Sequence, residues 1–124
     1  EIAGADIPGD MQGRSLVPLL KGETPADWRK AFYYHYYEFP GAHSVARHYG
    51  VTDGNYKLIN FYENKEWELF DLTADPNELK SLYGRAEYAG TQARLEKELQ
   101  QLRNRYRLPA EDPPSTRPRP RRKK

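Results

Sequence analysis

The clearest periodicity in the chain runs from Arg47 to Leu72. Arg47-His48-Tyr49-Gly50-Val51-Thr52 and Tyr56-Lys57-Leu58-Ile59-Asn60-Phe61 are rich in aromatic and β-branched residues and meet at Asp53-Gly54-Asn55. Trp67-Glu68-Leu69-Phe70-Asp71-Leu72 follows after the polar step Glu63-Asn64-Lys65. Strand-like runs joined by an Asp-Gly turn and a short polar step predict an antiparallel meander, with Gly54 supplying the positive φ of the turn. Upstream, Ala31-Phe32-Tyr33-Tyr34-His35-Tyr36-Tyr37-Glu38 predicts one more strand, since aromatics suit a pleated, half-buried surface. Alternation puts Phe32, Tyr34 and Tyr36 on one face and Tyr33, His35 and Tyr37 on the other. Both faces are aromatic, so neither is plainly a solvent face. Phe39-Pro40-Gly41-Ala42 ends the strand, and a loop through His43, Ser44 and Val45 leads back to Arg47.

Two helices flank these strands in the pattern. In Gly13 to Gly22, Ser15 is placed to cap a short helix with Pro18 in its first turn and Gly22 at its end, and Leu16, Leu19 and Leu20 share a face. A helix this short needs a surface to dock on. From Thr91 to Arg107 the apolar positions Leu95, Leu99, Leu102 and Tyr106 step by four, three and four, the stripe of an amphipathic helix. That stripe is expected to lie on the sheet, at about 1.5–3 kcal/mol per buried leucine. Asp75-Pro76-Asn77-Glu78 carries a helix-start signature and predicts a turn or short helix through Leu79 and Leu82. Trp28 is expected to anchor the preceding segment onto the sheet. The resulting class is α+β: about four antiparallel strands packed by a C-terminal amphipathic helix. Residues 1–30 form a connecting segment with the short helix, 31–107 the folded unit, and 108–124 a basic tail.

Composition sharpens this division. A chain of 124 residues with 37% hydrophobic content and a mean hydropathy of -1.01 has room for one small core. Ten of its 16 aromatics are tyrosines, whose rings pack while their hydroxyls stay wet or reach a partner. Beyond Pro109, six basic residues against two acidic ones give the tail a charge of +4, which leaves the body at -2 in a chain of net +2. A slightly acidic body argues against nucleic acid as the partner. No apolar residue follows Ala110, so the tail is expected to be disordered. Cysteine is absent, which excludes disulfides and thiolate zinc sites but identifies no compartment. No apolar stretch reaches the length of a membrane span, and no signal-peptide core is present. The first ten residues resemble the middle of a longer chain, arriving from a neighbour.

The chemistry-bearing residues gather near one loop. His35, His43 and His48 are spaced by eight and five, which matches no zinc signature. Arg47 with His43 and His48 suits hydrogen bonding to an anionic or polyhydroxylated ligand as well as it suits a plain polar patch. The acids between Glu63 and Asp71 are expected to form a solvated side. No serine sits in a nucleophile context, and no glycine-rich phosphate loop is present.

Three stretches, taken in order and spacing, resemble the C-terminal subdomain of bacterial formylglycine-dependent sulfatases of the alkaline-phosphatase-like superfamily. They are Met11-Gln12-Gly13-Arg14-Ser15-Leu16-Val17-Pro18-Leu19-Leu20-Lys21-Gly22, then Tyr49-Gly50-Val51-Thr52-Asp53-Gly54-Asn55-Tyr56-Lys57-Leu58-Ile59, then Trp67-Glu68-Leu69-Phe70-Asp71-Leu72 running into Asp75-Pro76-Asn77-Glu78. The resemblance spans about residues 1–107. It implies a four-stranded sheet and helix set beside a larger α/β catalytic domain, the expected partner, and a periplasmic or extracellular location. It also places the calcium ligands and the formylglycine nucleophile in that domain. None of Ser15, Ser44, Ser81 or Ser115 opens the Cys/Ser-x-Pro-x-Arg motif, so no hydrolysis is expected from these residues alone. The implied role is to border the substrate cleft for a sulfated glycan such as a glycosaminoglycan. Arg47 and one of the two histidines His43 and His48 would then bind sugar hydroxyls, carboxylates or a second sulfate, and Tyr36 or Tyr37 would stack on a ring. Two other roles fit the residues: a stand-alone module for acidic glycans, and a nucleic-acid-associated protein with a basic tail.

Overall fold

The computed structural model describes residues 2–114. Four antiparallel strands run in sequence order: β1 (Phe32–Tyr36), β2 (His48–Thr52), β3 (Tyr56–Phe61) and β4 (Glu66–Asp71). The register pairs Tyr34 with Gly50, Val51 with Leu58 and Leu58 with Leu69. At the β2–β3 turn Gly54 takes φ +91°, and Asp53 Oδ1 accepts from the amides of Asn55 and Tyr56 at 2.9 and 2.8 Å. The Asp-Gly signal thus folds as an Asx turn that sets the register of the central hairpin.

One face of the sheet is sealed by α2 (Ala89–Arg105), entered through a 3-10 turn at Ala86–Tyr88. Leu95, Leu99 and Leu102 form one buried cluster with Tyr49, Val51, Leu58 and Leu69. The expected stripe is therefore the core contact, and Tyr106 packs against its margin. This inner face also carries Tyr33 and, beyond the ends of the strands, Arg47 and Tyr62. The outer face carries Phe32, Tyr34, Tyr36, His48, Lys57 and Ile59. Both faces of β1 are aromatic as expected, with Phe32 stacked on Tyr34 on one side and Tyr33 on Tyr49 on the other.

Gly50 has a steric reason. A Cβ built there would lie 2.4 Å from the carbonyl oxygen of Leu58 and 2.6 Å from the Tyr34 hydroxyl. The Tyr34 ring therefore occupies the space a side chain would fill, with its hydroxyl buried and lacking a hydrogen-bond partner among the described residues. Burial raises the pKa of that hydroxyl well above the ordinary tyrosine value.

Several local expectations are corrected. The first helix, α1, spans only Val17–Leu20 with Leu16 at its N-cap, and Ser15 Oγ accepts from the Val17 amide at 3.2 Å from one position further out. Gly22 closes it at φ +80°. Of the expected turn or short helix, Asp75 starts the turn, the Glu78 amide donating to its carbonyl at 3.0 Å, but no helix. Its carboxylate accepts from the amides of Leu79 and Lys80, four and five residues on, while Glu78 takes φ +55° and bends the chain away from helical geometry. Lys57 reaches across to hold Glu78 at 2.7 Å. Trp28 is half-buried with the Arg14 guanidinium 4.9 Å over its ring. Residues 109–114, expected to begin a disordered tail, lie against Arg103 and Arg47 instead, because two carbonyls and a carboxylate satisfy those cations. The remainder of the expected disordered tail, residues 115–124, lies outside the described residues.

Two substitutions probe this core. Leu95→Ala, at a fully buried position, is expected to cost about 2–5 kcal/mol in urea unfolding. Gly50→Ala is expected to destabilise comparably to a core overpacking, about 1–3 kcal/mol, and Tyr34→Leu in the same chain is expected to recover part of that loss. An unchanged unfolding midpoint for Gly50→Ala would refute the steric reading of that position.

Candidate functional site

The β1–β2 connection, residues 37–47, holds most of the residues picked out in the sequence, but the structure divides them. Tyr37 is 56% exposed and stacks on His35 with ring centroids 3.7 Å apart. His43 lies exposed on the loop. Tyr36 and His48 belong to the outer face, where their rings stack at 5.4 Å and Phe61 lies 5.0 Å from His48. His48 Nδ1 donates to the Ala46 carbonyl at 2.8 Å, which fixes the proton on that nitrogen and leaves Nε2 as the acceptor.

Arg47 is not a surface cation. It is 5% exposed, donates to Glu63 Oε1 at 2.9 Å and to the Pro114 carbonyl at 2.6 Å, and lies 5.4 Å from the Tyr62 ring centroid. Its role as a direct ligand for sugar or sulfate is thereby corrected: the guanidinium is committed inside the fold. Glu63 is corrected with it, since a side chain expected on a solvated face is 2% exposed and paired. Burying both ions takes them out of water together, and the pairing offsets that cost only while both remain.

A second buried cation lies close by. Arg103 sits 4.3 Å over the Tyr49 ring and donates to the Pro109 carbonyl at 2.8 Å, with Asp112 3.8 Å away. Tyr49 in turn accepts from Asn60 Nδ2 at 2.7 Å. Arg103 follows Leu99 by four residues, so it extends the leucine stripe by one turn. That spacing was the available sign that it is an inward-facing residue.

His35 lies between these groups. Its Nδ1 faces the Tyr33 hydroxyl at 3.0 Å and its Nε2 the Tyr62 hydroxyl at 3.5 Å. Burial, reinforced by the charge of Arg103 and, more weakly, by His48 and Arg47, pushes the imidazole down to about 4, with Asp112 opposing. Burial pushes the Tyr33 hydroxyl up to about 12. Both groups are neutral across the physiological range. This cluster is built for orientation and hydrogen bonding, and it offers no nucleophile.

Among the described residues no three His, Asp or Glu side chains converge as metal ligands, and no helix is long and apolar enough to cross a membrane. With no Cys and no Cys/Ser-x-Pro-x-Arg motif, these residues do not fit a calcium and formylglycine centre.

The sheet-and-helix unit and its loop agree with known proteins. The family described as N-sulphoglucosamine sulphohydrolase, C-terminal, matches residues 1–105, and the chain belongs to it as the C-terminal region of a sulfatase of the alkaline-phosphatase superfamily. It is 50% identical over 110 residues to the N-acetylglucosamine-6-O-sulfatase of Bacteroides thetaiotaomicron, which covers 86% of this chain and 20% of that protein. It is 34% identical over 101 residues to the multifunctional alkaline phosphatase superfamily protein PehA of Trinickia caryophylli, covering 72% and 19%. The solved structure of BT4656 in complex with its substrate D-glucosamine-2-N,6-O-disulfate superposes with a TM-score of 0.81 at 50% identity over 85% of this chain and 22% of that one. The chain therefore spans about a fifth of the length of these relatives.

Two outcomes follow from the buried groups. Glu63→Ala, which leaves Arg47 charged and uncompensated, is expected to lower stability by about 3–5 kcal/mol, and Arg47→Met with Glu63→Leu to recover most of it. Equal losses in the single and double variants would show that the pair acts by packing alone. For His35, the folded form holds its proton more weakly than the unfolded chain, with a value of about 4 against 6.5. Stability from this group is therefore full above about pH 6.5 and declines as the pH falls towards 4. His35→Phe is expected to flatten that part of the urea-midpoint profile, and an unaltered slope would assign the acid sensitivity to other groups.

Proposed function

We propose that this region helps form the substrate cleft of a sulfatase acting on sulfated glucosamine residues of a glycan, with the β1–β2 loop as the part that meets the sugar. The observation that carries this reading is the 50% identity, over 85% of the chain, to a sulfatase solved with D-glucosamine-2-N,6-O-disulfate. The loop supplies suitable chemistry. Tyr37 offers an exposed ring face for the C–H face of a pyranose, and His43 offers an exposed hydrogen-bonding imidazole. Arg47 acts one step back, holding the root of the loop through Glu63. Tyr36 and His48 form the opposite flank of that root.

Hydrolysis belongs to residues outside this chain's motifs, so the contribution is to affinity and specificity. The apolar surface also fits a unit that is one part of a larger enzyme. Ile2, Ile7, Met11, Leu16 and Leu20 are exposed around an open hollow of about 630 Å³ beside α1, and Phe32 is exposed on the outer face of β1. An apolar surface of this kind suits a neighbouring domain.

The test uses a sulfatase carrying this region. His43→Ala and Tyr37→Ala are each expected to raise KM for a glucosamine-6-O-sulfate substrate by about three- to tenfold, in line with one lost hydrogen bond or stacking contact. Turnover of a small aryl sulfate, which cannot reach the loop, is expected to stay unchanged. A KM unaffected by both substitutions would remove the loop from the cleft.

A further inference from the structure

The segment that leaves α2 does more than end the chain. Arg107 takes φ +54°, the Leu108 amide donates back to the Arg103 carbonyl at 3.0 Å, and the chain then runs along the inner side of β1. Its Pro109 carbonyl accepts from Arg103, its Asp112 carboxylate lies beside the same guanidinium, and its Pro114 carbonyl accepts from Arg47. Both arginines are more than nine-tenths buried, and Arg47 Nε has no hydrogen-bond partner among the described residues. Between segment and sheet lies a cavity of about 310 Å³ whose floor is Tyr33, His35 and Tyr37 and whose roof is formed by Pro109, Asp112, Pro113 and Pro114.

These features fall at the two ends of one loop. Tyr37 is the first residue after β1 and lines the cavity opposite Pro113 and Pro114, while Arg47 is the last residue before β2 and is bonded to Pro114. A loop whose root is bonded to a third segment has fewer accessible conformations than one anchored by its strands alone. The family match ends at residue 105, so the anchoring segment lies just outside it.

We propose that residues 108–114 are a clasp that positions the β1–β2 loop by gripping its root at Arg47 and roofing the cavity that Tyr37 lines, and so presets the exposed His43 for a sugar. The clasp is made largely of backbone carbonyls and proline rings. Prolines suit this task because their fixed φ leaves less entropy to lose when the segment is ordered. The cations supply what the short segment lacks, since each donates a charge-assisted bond to a carbonyl. The part of the proposal that concerns the sugar rests on the cleft reading above; the grip on the loop does not.

The test compares three forms of the chain by NMR: intact, cut after Leu108, and cut after Thr116. Removing residues 109–124 is expected to lower the amide order parameters of residues 38–46 below about 0.6, the range of flexible backbone. It is also expected to raise the titration of His35 from about 4 towards its ordinary value, as the roof that desolvates it is lost; the departure of Asp112 offsets part of that rise, and Arg103, Arg47, His48, Tyr33 and Tyr62 still face the ring. Amides of β3 and β4 are expected to keep their order parameters. Removing only residues 117–124, which carry the six basic residues of the tail, is expected to change neither readout. Asp112→Ala in the intact chain serves as a milder variant and is expected to move the loop amides in the same direction. An unchanged loop after the longer cut, or a loss of order spread evenly over all four strands, overturns the clasp. In a sulfatase carrying this region, the longer cut is expected to raise KM for the glycan substrate and to leave turnover of a small aryl sulfate unchanged. A loop that loosens with no change in KM upholds the grip and refutes the placement of the loop in the cleft.

Discussion

A four-stranded sheet with one apolar face cannot persist until that face is covered, and here a single helix covers it. Leu95, Leu99 and Leu102 meet Val51, Leu58 and Leu69, and every other feature of the unit is arranged around that contact. The position of α2 determines where its last turn ends, and thus where Arg103 reaches the Tyr49 ring and where the chain turns back at Arg107. Beside the core, tyrosines, a neutral histidine and two paired cations form the polar cluster. Close packing and polar satisfaction are met by different layers of the same face.

The two buried arginines show how charge can serve geometry in a small protein. Each lies over or beside a tyrosine ring, and each is discharged by a carboxylate and a backbone carbonyl. Their net contribution to stability is modest, because pairing does little more than offset the loss of hydration. Their value is directional, since a planar guanidinium with fixed donors specifies where its acceptors must sit. The loop root and the chain following α2 are both held to that specification.

Much of the fold was legible in the residues. Period two across Tyr56–Phe61 and Glu66–Asp71, the Asp-Gly turn and the leucine steps in α2 each reflect a local preference that agrees with the final structure, so meander and helix could be predicted together. The site was legible only in part. Tyr37 and His43 are on the surface, where a residue's type indicates its availability, whereas the fate of Arg47 depended on Glu63, sixteen residues on, and on Pro114, sixty-seven residues on. No local pattern encodes such a meeting. The Asp75-Pro76-Asn77-Glu78 signature gives the turn but not the helix for a related reason: its capping carboxylate does bond the following amides, but Lys57 draws Glu78 across to β3 and the chain turns before a helix can propagate.

The notch at Gly50 bears on how β1 finds its place. As an edge strand written Phe-Tyr-Tyr-His-Tyr, β1 carries rings on both faces, and an aromatic sequence that looks much the same after a shift of two residues carries little information about its own alignment. Only at Gly50, opposite Tyr34, does the neighbouring strand lack a side chain on the outer face. A slip of two residues either way would drive Tyr34 onto His48 or Thr52 and leave the notch to Phe32 or Tyr36. One glycine thus serves as an index mark, letting a repetitive edge strand dock in a single alignment.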